Sequence, residues 1–470
     1  MSMEIQNLVE RALAASTADG CIVVGSENTQ TNLRWAANSL TTNGQMSSRS
    51  ITIVSTFDGP DGTSAGVVTR AVSTEDELDE LVRASEQAGR DAGPAEDAAP
   101  LVENYEHGDD WSADPARTDV EVFNTFAPAL GAEFERWRKA DRLLFGYAEH
   151  EVTSTFVATS TGLRRRFDQP DGMVQLNGKS SDYGRSAYAS MHTNDFADVD
   201  AAALAADVEQ RLDWAANRID LPAGRYETIM PPSTVADLMI YAYWTASARD
   251  AEEGRSVFAG PSGGVAAGGG GSRIGDELSA LPLRLYSDPA YPGLECAPFE
   301  IATESGGGLQ SVFDNGLPTA ATDWIRDGRL TDLIRTRAWA ARSGAEPRPG
   351  IGNLILAGAG GGPSQQEMIA NTERGLLLTC LWYIREVDPQ TLLLTGLTRD
   401  GVYLIENGEV TGAVNNFRFN ESPIGLLGRA TEVGRTELTL SREWGDYFTR
   451  TAMPTLRIPD FNMSTVSQAS

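Results

Sequence analysis

Residues 20–72 read GCIVVGSENTQTNLRWAANSLTTNGQMSSRSITIVSTFDGPDGTSAGVVTRAV, and this stretch decides the reading of the fold. Gly20–Ser26 is a short apolar run suited to a buried strand. Leu33–Asn38 and Ser50–Phe57 alternate apolar and polar residues, the period of a strand with one covered face. Asn43-Gly44 and Asp61-Gly62 favour the left-handed backbone of tight turns, so they are expected to link these strands and to lead into Ser64–Val72. Strands following one another through short turns predict an antiparallel sheet with helices packed on it. Ile5–Ala15 supplies one such helix through Ile5, Leu8, Val9 and Leu13. Glu75–Asp91 supplies another through Leu78, Leu81 and Val82, with Ser73-Thr74 as its capping residues.

Further along, residues 93–118 read as a surface connection and Val120–Arg138 as a helix. Tyr147–Thr161, Arg164–Gln169 and Gln175–Ser190 follow as strand and loop, then Val199–Arg211 as a helix. Leu-Pro-Ala-Gly at 221–224 punctuates the chain, which sets an expected boundary between a domain of residues 1–220 and one of residues 221–470. Past it come a strand, Arg225–Met230, and an apolar helix, Thr234–Ala248, entered through Pro231-Pro232-Ser233. Strands are expected at Leu283–Ser287, Thr379–Arg385, Thr391–Leu397, Gly401–Glu406 and Glu409–Val414, the last two joined by Asn407-Gly408. The fold class is therefore α+β: an N-terminal antiparallel sheet with packed helices, then a β-rich domain, barrel-like or multi-sheet, around one buried helix.

Composition narrows the function. The chain has 470 residues, with 66 acidic against 38 basic and a net charge of −28, which repels nucleic acid unless a basic patch overrides the field. Arg164-Arg165-Arg166 is too short to do so. No apolar run approaches the ~20 residues of a membrane span, and the N-terminus lacks a basic flank followed by an apolar core. A cytoplasmic protein is the expectation. Its cysteines, Cys21, Cys296 and Cys380, are widely spaced and odd in number, which argues for reduced thiols over a disulfide framework or a cysteine-rich zinc site.

Catalytic motifs are equally sparse. The only histidines are His107, His150 and His192, none near another in sequence, so the chain offers no helical pair of metal ligands. Gly260–Ser272 and Ala357–Ser364 are glycine-rich but lack the lysine that follows the glycines of a phosphate loop. Lysine occurs only at Lys139 and Lys179, the latter read as a turn residue. The densest polar constellation is Asn415–Pro423, where an extended strand shows Asn416, Arg418 and Asn420 on one face and Phe417 and Phe419 on the other. Amides and an arginine in a row suit gripping a peptide backbone or a partner subunit, so these three are the candidate site residues. No catalytic and no metal-binding residue is assigned.

Several segments together carry a resemblance. The hairpin Tyr403–Val410, Asn38-Ser39-Leu40-Thr41, the helix after Pro231 with Arg255-Ser256-Val257-Phe258, and Pro454–Asp460 are similar, in order along the chain, to the TldD/PmbA family. That family is also called TldD/TldE, or modulator of DNA gyrase. The resemblance implies a heteromeric zinc protease in which a TldD-like subunit carries HExxxH on a helix and a later cysteine ligand. Here the matching helix, Asp237–Ala248, holds no histidine or glutamate, and Thr436–Phe448 holds no cysteine. The expectation is thus a TldE-like, noncatalytic subunit without a cofactor of its own. A TldD-like partner would hold the zinc, and unfolded or leader peptides would be the substrate. A stand-alone homodimeric peptide-binding or scaffold protein is the alternative, and an enzyme using the glycine-rich region is a third.

Overall fold

The computed structural model describes residues 4–72, 74–106, 108, 110–260 and 271–467. Among them the first half comprises α1 (Ile5–Ala15), β1 (Gly20–Ala36), β2 (Ser39–Gly59), β3 (Gly62–Arg70), α2 (Glu75–Asp91), α3 (Phe126–Lys139), β4 (Arg142–Thr159), β5 (Arg164–Ser180), β6 (Ser186–Thr193) and α4 (Ala201–Trp214). The strands pair antiparallel in the order β3-β2-β1-β4-β5-β6. Helix α2 opens with a capping box: Thr74 Oγ1 accepts from the Glu77 N–H, and Glu77 Oε2 from the Thr74 N–H. Ser73 lies outside the described residues.

Two expectations about this sheet are corrected. Gly20–Ser26 and Leu33–Asn38 are not separate strands; β1 runs unbroken through the polar residues between them. Those polar residues find fixed partners. Glu27, only 4% exposed, takes hydrogen bonds from Arg49 directly across the ladder and from Arg117 (2.7 Å), while Thr29 Oγ1 accepts from the Thr118 N–H. The hairpin turn is not Asn43-Gly44, which sits within the ladder opposite Leu33 and Asn32. It is Ala37-Asn38, both with positive φ (48° and 62°). Asn38 wins because its side chain is tied to β4: Oδ1 accepts from the Leu144 N–H and Nδ2 donates to the Arg142 carbonyl, each at 2.7 Å. Asparagine tolerates the left-handed region, and tertiary hydrogen bonds chose between the two sites.

With a strand period of two, one face of the sheet is helical in its contacts. Cys21, Val23, Ile51, Ile53 and Phe156 pack with α1 and α2, while Trp35, Leu144, Ala148 and Leu176 pack with Phe126, Phe134 and Trp137 of α3 and Val208 of α4. The other face makes its apolar contact with the second half of the chain at one end, where Ile22, Val24 and Val157 pack on Phe299, Val312 and Phe313. Toward the far end the same face stays polar.

The second half comprises β7 (Arg218–Ile219), β8 (Gly224–Met230), α5 (Pro232–Trp244), α6 (Ala248–Glu252), β9 (Arg284–Ser287), β10 (Thr322–Arg326), β11 (Arg329–Leu330), α7 (Arg337–Ser343), β12 (Leu354–Ala357), α8 (Gln365–Ala370), β13 (Arg374–Leu378), β14 (Trp382–Asp388), β15 (Leu393–Leu397), β16 (Val402–Glu406), β17 (Glu409–Val414), β18 (Phe417–Glu421), α9 (Pro423–Arg429), β19 (Glu432–Thr439) and β20 (Thr451–Val466). These strands form one branched sheet, with β20 pairing β8, β12, β18 and β19. Asn407-Gly408 makes the expected β16–β17 turn, both residues having positive φ. Helix α5 begins with proline in its first turn and buries most of its length, including Val235, Leu238, Met239 and Ile240, in the largest apolar cluster. A helix apolar on all sides has to be enclosed. The fold is α+β, as the alternation and the apolar helix imply.

Candidate functional site

The polar end of the first sheet and the second half enclose a cleft. On the sheet side, alternate residues of β4 (Tyr147, Glu149, Glu151 and Thr153) face it together with Asp171, Gln175, Asn177 and Lys179 of β5 and Arg34 of β1. Opposite them stand Tyr243 and Trp244 at the end of α5, Trp382 at the start of β14, and Arg442, Tyr447, Thr449 and Arg450 from the segment between β19 and β20. Three cavities, of about 740, 620 and 580 Å³, run into one another. The first and second share Glu151 and Arg450, and the second and third share Arg34, Tyr147 and Gln175.

Asp171 stitches the two walls together. Its Oδ2 accepts from Arg450 Nη2 (2.6 Å) and Thr449 Oγ1 (2.7 Å), and its Oδ1 lies 3.5 Å from His192 Nε2. Burial alone would raise this carboxyl; the neighbouring His192 and the Arg450 charge outweigh it and hold Asp171 below the ordinary carboxylate range. Its neighbours shift the other way. Burial raises Glu151, and the nearby Asp171 and Glu149 charges add to it against the hydrogen bond from Asn28 Nδ2 (3.1 Å). Glu149 in turn accepts a short hydrogen bond from the Tyr147 hydroxyl. Deeper in the first cavity Glu300 is 8% exposed, and burial, reinforced by Asp314, pushes it up to about 8. One stretch of the cleft is therefore rich in carboxyls, two of which, Glu151 and Glu300, are raised by burial.

Helix α5 and the segment after β19 contain the stretches where the resemblance implies metal ligands in a TldD-like subunit. They do pack on each other, through Asp237. The Glu443 N–H donates to Asp237 Oδ1 and Trp444 Nε1 to the Asp237 carbonyl, both at 2.8 Å. Asp237 is fully buried, and that burial, with the Glu443 charge, raises its carboxyl well above the usual range. Burial likewise pushes the nearby Cys380 thiol up to about 12. Helix α5 thus brings one carboxyl and no histidine to this contact, and an oxygen of that carboxyl is taken by the Glu443 N–H, so the donor set does not fit a three-ligand zinc site. Among the described residues no three His, Cys, Asp or Glu side chains form a metal-holding group.

The remaining candidates fall as follows. His150 Nδ1 is 2.7 Å from Thr118 Oγ1 and its Nε2 2.8 Å from the Asn194 carbonyl, on the helix-covered side of β4, whereas His192 faces the cleft side of β6. The sheet itself separates them. His107 lies outside the described residues, as do residues 261–270 of the first glycine-rich stretch. In the second stretch, which joins β12 to α8, the Glu367 carboxylate accepts from the Ser364 N–H and hydroxyl (2.8 Å each) and so occupies the position an anion would take. The three cysteines are buried and free. Asn416, Arg418 and Asn420 lie on or just before β18, with Phe417 and Phe419 buried behind them. Strand β18 pairs on both sides, with β15 and β20, so these residues offer side chains but no backbone edge. Asn416 lines a further cavity of about 620 Å³ with Lys179, Arg218, Arg399 and Asp400. Arg418 Nη1 donates to Thr395 Oγ1 at 3.3 Å, and the Asn420 carbonyl accepts from Asn462 Nδ2 at 3.2 Å. Sequence reading missed Glu151, Asp171, Glu300 and Arg450, since no local motif joins them. The alternating polar run Tyr147-x-Glu149-x-Glu151-x-Thr153 was the one legible signal.

Comparison with known proteins bears on this cleft. The family model described as the PmbA/TldA metallopeptidase C-terminal domain matches residues 223–465. No curated protein matches the chain in sequence. Among solved structures, TldE from Thermococcus kodakarensis superimposes with a TM-score of 0.77 at 16% identity, covering 97% of this chain and 99% of that one. A candidate modulator of DNA gyrase from Thermotoga maritima gives 0.74 at 15%, covering 97% and 99%. One from Bacteroides thetaiotaomicron gives 0.74 at 14%, covering 98% of each. At these identities the likeness is one of fold.

Proposed function

Starting from the fact that the chain belongs to the PmbA/TldA metallopeptidase family, we propose that it is a TldE-like, noncatalytic subunit. In this reading it binds an unfolded or leader peptide in the cleft between its two sheets, while a zinc-bearing, TldD-like partner cleaves it. The observation that carries the reading is the coexistence of a long polar cleft with an α5 whose one acidic residue, Asp237, is buried and tied to the Glu443 N–H. In this reading the cleft supplies the binding half of a peptidase and the partner supplies the ligand set of the chemical half. Amides and hydroxyls on the cleft wall (Gln175, Asn177, Thr153) can pair with peptide N–H and C=O groups without reading sequence. The exposed outer part of the β1–β2 hairpin, with Leu40 and Met46 open to solvent, is a surface for the partner subunit.

The test is co-expression of the tagged chain with an HExxxH-bearing homologue. A stable complex is expected, with zinc in the partner and cleavage of an unfolded peptide by the mixture but not by this chain alone. Absence of a complex together with no gain of activity on mixing sinks the proposal. A homodimer that binds peptides without any partner would establish the scaffold alternative instead.

A further inference from the structure

One end of the cleft is basic, in a protein that carries 66 acidic and 38 basic residues. The cavity of about 580 Å³ is lined by Arg34, Lys179, Arg399 and Arg442, and among the described residues the one acid lining it is Asp400. Elsewhere arginines pair with carboxylates, as Arg49 and Arg117 do with Glu27, Arg450 with Asp171, or Arg457 with Glu227 and Glu432. Here aromatic rings take that role. The Arg442 guanidinium lies between the Tyr188 and Trp382 rings, 4.0 and 3.7 Å from their centroids. Lys179 Nζ sits over Phe145 and Tyr183 at 5.5 and 5.7 Å, and Arg34 over Tyr147 at 5.4 Å. Rings orient a cation without cancelling its charge. Arg399 alone has a carboxylate nearby, Asp400 Oδ2 at 3.5 Å from its Nε. Asp237, close enough to feel the Arg442 charge, is raised by burial well above the usual carboxylate range. The fixed positive charge of this cavity therefore remains available.

We infer that this basic end of the cleft is a subsite for a carboxylate of the bound peptide, either its C-terminal α-carboxylate or an Asp or Glu side chain. The inference rests on the peptide-binding reading above and adds direction to it. A planar guanidinium held by stacking keeps its outer N–H groups free for a two-pronged hydrogen bond to a carboxylate. The net charge of −28 disfavours a polyanion such as nucleic acid, while a single carboxylate meets only the local field. At the other end the 740 Å³ cavity offers, among the described residues, a single cation, Arg450, which is already paired with Asp171, so a carboxylate finds its partner at the basic end and one orientation of the peptide is favoured.

The experiment is fluorescence anisotropy of the full chain with a dye-labelled unfolded decapeptide in four forms: free C-terminal acid or amide, each with an internal Asp or Asn. A carboxylate at one of these positions is expected to tighten binding by about tenfold over the neutral form, the size of one charge-assisted pair. The preferred form names the source of the carboxylate. Arg442→Gln and Lys179→Gln should each reduce that preference while neutral-peptide binding persists. Lys179→Gln is at a strand end and guards against a folding defect in the first variant. Equal affinity for all four forms, or a preference that survives both substitutions, overturns the subsite and leaves peptide binding standing. Failure of every form to bind overturns both.

Discussion

Replacing Glu300 by glutamine tests the electrostatics of the cleft directly. Glu300 N–H donates to the Leu317 carbonyl and its own carbonyl accepts from Gly316 N–H, so the backbone is held and only the carboxyl changes. Glu300 lines the 740 Å³ cavity together with Glu151, Tyr243 and Arg450. Asp314, the closest acid, is neutralised by Arg337, whose Nε donates to it at 2.7 Å. Burial, with a smaller contribution from Asp314, raises Glu300 from 4.5 to about 8. The folded state therefore binds the proton more tightly than the unfolded state. Stability is full below the unfolded value and declines as pH rises toward 8, levelling off above it. At ~1.4 kcal/mol per pH unit, the wild type forfeits on the order of 3 kcal/mol by pH 7 relative to a neutral side chain. Urea denaturation of wild type and Glu300→Gln at pH 5, 6, 7 and 8 should thus show the variant gaining steadily, least at pH 5 and most at pH 8. Parallel stability curves, or a variant that loses ground as pH rises, refute the assignment of a buried, unneutralised carboxyl.

Other outcomes follow from the same structure. Asp171→Asn leaves Arg450 without its buried partner and should destabilise by about 3 kcal/mol, with a double-mutant cycle against Arg450→Met recovering part of the loss. Because Asp171 is held below its ordinary value, its contribution is present above the unfolded carboxylate pKa and fades as pH falls toward the folded one, so wild type and Asp171→Asn should converge in acid. Gly146→Ala puts a Cβ into the Gln175 carbonyl and the Trp35 ring and should cost more than about 2 kcal/mol. Gly131→Ala, within α3 and with open space at the new Cβ, should instead stabilise by roughly 0.5–1 kcal/mol in the same melts. Cys21 and Cys296, both raised by burial to about 11, and Cys380, to about 12, should stay unreactive toward a thiol reagent until the protein is unfolded, and fast labelling of native protein would contradict their placement.

Much of the fold could be read from local chemistry. Alternation marked the strands, Asn407-Gly408 carries its turn requirement in two residues, and a helix as apolar as α5 has to be enclosed. The errors came where distant residues settled a local choice. Asn43-Gly44 and Ala37-Asn38 are both fit for a turn, and the Leu144 N–H and Arg142 carbonyl selected the second. The middle of β1 is too polar to look like a strand until Arg49 and Arg117 are placed on Glu27.

The candidate site shows the same division more sharply. Sequence by itself determined the large negative charge, the scarcity of histidine, the lack of histidine and glutamate on the α5 segment and the polar alternation of β4, because each is a property of composition or of neighbouring residues. Only the tertiary structure decided that the β4 face opens on a cleft, that Asp171 meets Arg450 across 279 positions of sequence, and that Arg442 lies between Tyr188 and Trp382. Charge and hydrogen bonding act through a few ångströms of space, and strand period and side-chain count carry no information about which distant strand supplies the partner.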